Sequence, residues 1–172
     1  MRIIVEGPDG AGKSTLIRGL TTIYPQLEIV RNTMEDKQMF DLWWPQAIGE
    51  SHDPDIPIHD RFFYSELVYG PVIRGSIKAK GTTIVRTIGQ LRRDALLIYC
   101  RPMYSTITSN IRGDQMEGVH ENIEKLVDEY DYLFSQEVDY YGRRFYLYNW
   151  EATTEPDGVT ETVRGYLTGE LR

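Results

Sequence analysis

The segment with the clearest chemical meaning is Gly7-Pro8-Asp9-Gly10-Ala11-Gly12-Lys13-Ser14-Thr15. Its spacing is Gly, four residues, then Gly-Lys-Ser/Thr, a pattern whose consecutive backbone N–H groups turn inward around a phosphate while the following helix adds its positive end. Lys13 would reach the outer phosphates of a nucleoside triphosphate, and Ser14 Oγ would ligate Mg²⁺. The plainer alternative is a glycine-rich turn, but a strand before the motif and a helix after it favour a phosphate loop. Asp9 carries further information. A carboxylate in a loop built for polyanions is unfavourable unless it serves a cation or another ligand group such as a sugar hydroxyl; otherwise it is a turn-former.

At Glu6-Gly7-x-Asp9-Gly10-x-Gly12-Lys13-Ser14-Thr15 the chain resembles thymidylate kinase and its relatives among the P-loop nucleoside monophosphate kinases. The resemblance implies that Asp9 holds the 3′-hydroxyl of the nucleotide acceptor. His59-Asp60-Arg61-Phe62-Phe63-Tyr64-Ser65-Glu66-Leu67-Val68-Tyr69 is similar to the Asp-Arg-aromatic segment of the same family, with its later serine and tyrosine. Asp60 would then hold waters on Mg²⁺, and Arg61 would neutralise charge on the acceptor phosphate and on the phosphoryl group in flight. A local Asp60–Arg61 ion pair is the alternative, although adjacent side chains on an extended strand diverge. His59 reads as a packed side chain.

In the place of the family's mobile lid lies the polar stretch from Asn110 to Val119, whose basic residue is Arg112. Arg112 is expected at the donor phosphates, with a solvated loop charge as the alternative, and Arg101 is a possible substitute. The acceptor pocket is expected from the region Glu35 to Gly49, where Phe40, Trp43 and Trp44 offer aromatic faces to a base, and from the helix bearing Tyr69 and Arg74. Core packing is the alternative for each aromatic residue. The chain departs from the family in having no arginine or lysine from Met39 to Asp60, and Arg74 is the candidate replacement. By analogy with the family's fold, Trp150 or Ala152, after the last strand, could touch the donor adenine, with a plain surface loop as the alternative.

These residues need elements to hold them in place. Arg2 to Glu6 is a short β-branched run, and Ser14 to Tyr24 repeats apolar residues at helical spacing until Pro25. Leu27 to Arg31 and Ile56 to Asp60 read as strands, with a helical region over Glu35 to Ile48 that Pro45 bends or ends. Phe63 to Ile73 and Thr82 to Arg93 read as helices, Ala95 to Cys100 as an apolar strand, and Tyr104 to Ile111 as a weaker helix. Val119 to Phe134 is a strong amphipathic helix, Arg144 to Tyr148 a last strand, and Val159, Val163, Tyr166 and Leu167 line a final helix. Strands separated by helices imply an α/β fold, a parallel sheet with helices on both faces, and ligands beyond the strands' carboxyl ends.

The chain has 172 residues and a formal charge of −7. Such a length predicts one domain over residues 1–172. Its single cysteine, Cys100, excludes an internal disulfide framework and a multi-cysteine metal site, and points to a reducing, cytoplasmic setting. No run approaches a membrane span, and the first residues do not read as a secretory signal. The acidic balance disfavours a broad polyanion-binding face while leaving room for a compact phosphate site.

The reading is therefore an ATP-dependent, Mg²⁺-dependent kinase whose acceptor is a (deoxy)nucleoside monophosphate, dTMP-like, similar to the compact bacteriophage versions of the family. The expected ATP-binding residues are Asp9, Gly10, Ala11, Gly12, Lys13, Ser14 and Thr15. Catalysis is expected from Lys13, Asp60, Arg61 and Arg112, acceptor binding from Asp9, Phe40, Trp43, Arg61, Tyr69 and Arg74, and metal binding from Ser14 and Asp60. The alternatives are a phage-type kinase for a hydroxymethylated pyrimidine in DNA, tracked by the basic run from Arg74 to Arg93, and a nucleotide-binding regulatory module without turnover. A homodimer is an expectation from the resemblance alone.

Overall fold

The computed structural model describes residues 1–31, 56–111, 116–152 and 157–171. Five parallel strands, β1 (Arg2–Glu6), β2 (Leu27–Arg31), β3 (Ile56–Asp60), β4 (Ala95–Cys100) and β5 (Phe145–Tyr148), form one sheet in the order β2-β3-β1-β4-β5. The central strand β1 pairs with β3 through Ile3–Ile58 and Val5–Asp60, and with β4 through Arg2–Ala95 and Glu6–Tyr99. Helices α1 (Lys13–Ile23), α2 (Phe63–Arg74), α3 (Gly81–Asp94), α4 (Tyr104–Asn110), α5 (Ile123–Tyr141) and α6 (Asp157–Leu167) connect or follow the strands.

Alternation along the strands divides the core in two. Ile3, Val5, Ile58, Leu96, Ile98 and Cys100 pack with Leu16, Ile17 and Leu20 of α1 and Val159 and Val163 of α6. Ile4, Leu97 and Tyr99 face the other way, against Val68 of α2, Leu91 of α3 and Leu126, Tyr130 and Phe134 of α5. Covered on both faces, β1 and β4 are buried at every residue, which is why they read as continuous apolar runs rather than alternating ones. The chain leaves β1 for β2 and β3 on one side, then returns to β4 on the other. The switch of direction opens a crevice at the carboxyl end of β1, where the phosphate loop begins.

The strand expectations from the sequence match closely, and α5 differs most. It begins at Ile123 rather than Val119, because Met116–Asn122 forms turns in which Val119 N donates to Met116 O and Asn122 N to Gly118 O. It ends at Tyr141 rather than Phe134, because the inward face continues through Glu137 and Tyr141. Glu137 is buried there by Arg92, Tyr64 and their hydrogen bonds. Phe40, Trp43, Trp44, Arg112 and the expected helix over Glu35 to Ile48 lie outside the described residues. Among the described residues no helix is long and apolar enough to cross a membrane.

Leu97 is wholly buried on the central face. Leu97→Ala is expected to cost about 3 kcal/mol, the middle of the range for such truncations, and urea unfolding would show it as a lower midpoint at unchanged slope.

Candidate active site at the carboxyl ends of the strands

The loop from Gly7 to Gly12 is built for close approach. Gly7 has φ +140°, and a Cβ there would lie 2.5 Å from the Cys100 carbonyl oxygen. Gly10 has φ +80°, and its Cβ would lie 2.6 Å from the Ile107 carbonyl oxygen. Both positions therefore demand glycine, because the neighbours are backbone and a side chain would also be strained at that φ. The loop is wedged between the end of β4 and α4, where Asn110 Nδ2 donates to Gly10 O at 3.3 Å.

Lys13 opens α1 and is buried, with its Nζ donating to Pro8 O at 2.7 Å. The ammonium thus rests on a loop carbonyl. Burial pulls its pKa down to about 8, with Arg61 adding to the fall and Asp9 opposing it. Ser14 and Thr15 are exposed in the first turn of α1, and Ser14 Oγ donates to Asp60 Oδ2 at 3.0 Å. Those two side chains come together from β3 and α1 as a pair of hard oxygen donors. The set suits Mg²⁺, which is held by one or two protein oxygens together with phosphate oxygens.

Arg61 follows β3 in a left-handed conformation, φ 65°, the only such non-glycine among the described residues. This conformation costs an L-residue about 1–2 kcal/mol, so the surroundings must hold it. Its N–H donates to Val5 O at 3.0 Å, continuing the β1–β3 ladder by one residue. Nη1 donates to Gly7 O (3.0 Å), Ser65 Oγ (3.2 Å) and Tyr130 Oη (3.1 Å). Nη2 donates to Asp9 Oδ1 (2.6 Å) and Tyr69 Oη (3.0 Å). Tyr69 in turn donates to Asp9 Oδ2 at 2.8 Å, closing a triangle of Asp9, Arg61 and Tyr69.

The Arg61 and Asp9 side chains remain 20% and 21% exposed, so the triangle still presents polar atoms to the crevice. Burial alone would raise the Asp9 pKa, but the Arg61 and Lys13 charges and the Tyr69 hydroxyl outweigh it and hold the carboxyl below its ordinary value. The Arg61 guanidinium titrates above its already high value despite burial, because Tyr69, Tyr130, Asp9 and Glu6 surround it with acceptors and negative charge.

Three residues to which the sequence reading gave no role, Glu6, Ser65 and Tyr130, complete the site. Glu6 is wholly buried and accepts from Phe62 N, Ser65 N and Ser65 Oγ at 2.7, 3.1 and 2.7 Å. Its own signal in the sequence is a carboxylate at the end of an apolar strand. Arg74 forms an ion pair with Glu66, a side chain only 2% exposed, and Lys78 N donates to the same carboxylate at 2.7 Å. Arg101 grips Asp131 with Nε and Nη2, at 2.9 and 2.9 Å to Oδ1 and Oδ2. On the far rim Trp150 abuts the loop, since a Cβ at Gly12 would come 3.0 Å from its Nε1. Ala152 is exposed beside it.

No family model matches the sequence, and no curated protein matches it. Solved structures do. The chain is similar to YorR from Bacillus subtilis, solved in complex with phosphorylated GDP, at 21% identity and a TM-score of 0.74 over 99% of this chain and 97% of that one. Deoxyadenosine kinase from M. mycoides with dCMP and dCDP aligns at 18% identity and a TM-score of 0.59, over 99% of this chain and 100% of that one. The same kinase with bound dATP gives 18% and 0.60, over 98% and 99%. At these identities the likeness is one of fold: the chain has the α/β P-loop kinase fold.

A phosphate oxygen entering the loop beside Lys13 Nζ would favour the fully charged ammonium, which still has donors beyond the one held by Pro8 O. Binding of MgATP near pH 8–9 is therefore expected to take up a proton, and affinity to fall as pH rises through about 8. Calorimetry in two buffers of different ionisation enthalpy measures that uptake directly. Equal heats in both would show that Lys13 is fully charged beforehand.

Proposed function

We propose that the chain is a Mg²⁺-dependent kinase that moves the γ-phosphoryl group of ATP to a deoxynucleoside monophosphate, with a dTMP-like acceptor first. The observation that carries this reading is the Asp9–Arg61–Tyr69 triangle beside the phosphate loop, with Asp9 and Arg61 partly open to the crevice. A phosphate loop alone needs only Lys13 and Ser14. The triangle supplies, within a few ångströms, a carboxylate for a sugar hydroxyl and a guanidinium for a phosphoryl oxygen.

In the reaction an acceptor oxygen forms a bond to the γ-phosphorus while the bond to the ADP oxygen breaks. The transition state spreads charge over the equatorial phosphoryl oxygens, so preset donors do most of the catalysis. Lys13 and the loop amides would hold the donor phosphates, and Arg61 would meet the charge of the group in transit. Ser14 and Asp60 would hold Mg²⁺, which would supply charge neutralisation on the donor phosphates. Arg112, from the expected lid, would add to the donor side, and Trp150 would flank the donor base. Kinase neighbours of the same fold support phosphotransfer.

A second reading, transfer to a hydroxyl of a hydroxymethylated pyrimidine in DNA, draws on Arg74. Its pairing with the buried Glu66 commits the cation proposed for an acceptor phosphate, and Met39 to Asp60 supplies no other. A hydroxyl acceptor needs no such clamp. The basic run that would follow a DNA backbone is also thinned, because Arg92 is bound to Glu137.

A transfer assay with ATP and Mg²⁺, offering each deoxynucleoside monophosphate, nucleosides and hydroxymethyluracil-containing DNA, separates the readings. Turnover of dTMP supports the first, turnover of modified DNA alone supports the second, and tight ATP binding without any transfer leaves a regulatory module. Lys13→Ala should abolish transfer without unfolding the protein, as judged by circular dichroism. Asp9→Asn should raise the acceptor KM about tenfold or more while moving the ATP KM little, the loss expected for one charged hydrogen bond; equal effects on both would remove Asp9 from the acceptor side.

A further inference from the structure

Three consecutive residues at the end of β1 fasten Arg61. Val5 O accepts its backbone N–H at 3.0 Å, and Gly7 O accepts Nη1 at 3.0 Å. Between them, Glu6 accepts from Phe62 N, the amide that directly follows Arg61, and from Ser65 N in the first turn of α2. The left-handed turn at Arg61 is thus pinned on both sides. A buried carboxylate is an expensive way to fill a strand position that an apolar residue would satisfy.

The reason for an acid at this position lies in the hydroxyls of Ser65 and Tyr130. Ser65 Oγ donates to Glu6 Oε2 at 2.7 Å, and Tyr130 Oη donates to the same oxygen at 3.3 Å. The two hydroxyl oxygens are 2.9 Å apart, and both accept from Arg61 Nη1. Each hydroxyl has one proton. An ionised carboxylate only accepts, so it draws the Ser65 proton toward itself, while the Tyr130 proton is shared between Ser65 Oγ and Glu6, and the lone pairs of both hydroxyls are left facing the guanidinium.

We propose that Glu6 is a positioning residue: it orients the Ser65 and Tyr130 hydroxyls and fixes the turn at Arg61, so the guanidinium is held in one direction before substrate arrives. A glutamine would place N–H groups where Glu6 accepts. At least one hydroxyl would then turn its proton toward Arg61 and lose the bond.

The kinetic arm of the test rests on the kinase reading; a spectroscopic arm does not. In protein carrying ¹⁵N-arginine, the Arg61 Nη–H signals should be resolved and slowly exchanging, and Glu6→Gln should speed their exchange about tenfold or more. In the transfer assay Glu6→Gln should lower kcat about 100-fold, the effect of a misplacement near 1 Å, with the ATP KM within about twofold. Added to Arg61→Ala, it should lower kcat no further.

Unchanged Arg61 exchange in Glu6→Gln would overturn the proposal, as would a kcat loss that persists undiminished in the Arg61→Ala background. Should Glu6→Gln fail to fold, Ser65→Ala decides. It removes one oriented hydroxyl while keeping the hold of Glu6 on both backbone amides, and must still quicken Arg61 exchange; no change overturns the proposal. If the wild-type protein transfers phosphoryl to no acceptor, the kinase reading fails and the exchange measurement alone decides the role of Glu6.

Discussion

A guanidinium placed where three elements meet governs the architecture of the site. Arg61 donates to Gly7 and Asp9 of the phosphate loop, to Ser65 and Tyr69 of α2, and to Tyr130 of α5. Removing a buried charge from its partners typically costs several kcal/mol, more than the left-handed backbone at Arg61 does. The strain is therefore small beside what enforces it. The loop cannot drift from α2, or α2 from α5, without exposing the guanidinium to an uncompensated environment. The tyrosine ring of Tyr69 adds a cation–π contact, with its centroid 4.8 Å from the guanidinium carbon.

Local compensation also shows how an acidic chain could present a site for phosphate. Lys13 and Arg61 stand among Glu6, Asp9 and Asp60, so the described part of the site carries little net charge before a ligand binds. Lys13 illustrates the balance. It donates to a neutral carbonyl in a dry place, which is weak compensation for an ammonium, and its pKa falls to about 8. A phosphate oxygen is a far better partner. A phosphate bound there would add a charged contact to a weak one, and the overall −7 has little influence across a screening distance of roughly 8–10 Å.

What the sequence made legible were features whose physics is local. Glycines at Gly7, Gly10 and Gly12, followed by Lys13 and Ser14, announce a phosphate loop because backbone conformation and spacing are written in consecutive residues. The unbroken apolar runs Ile3-Ile4-Val5 and Leu96-Leu97-Ile98 announced buried strands in the same way. Glu6, Ser65 and Tyr130 were not legible, since they meet across separations of 59 to 124 residues. Two buried carboxylates were not legible as buried. Glu137 sits on the inward face of α5 and extends the helix beyond Phe134, while Glu66 captures Arg74 from eight residues away. Both look like surface acids until their partners are known.

The far side of the loop is organised by a different acid. Glu151, just after β5, accepts from Met103 N and from Thr106 Oγ1, and its own N–H donates to Asn149 Oδ1 at 3.1 Å. The opening turn of α4 is thereby tied to the segment that carries Trp150. The other end of α4 presses on Gly10 through Ile107 and Asn110. Loop, α4 and the Trp150 segment consequently form one frame. Arg61 fixes the near side through charge, whereas Glu151 fixes the far side by accepting from the Met103 amide at the start of a short helix and from the Thr106 hydroxyl within it. The phosphate loop lies between these two anchors, so its amides are preorganised by the fold rather than by the ligand.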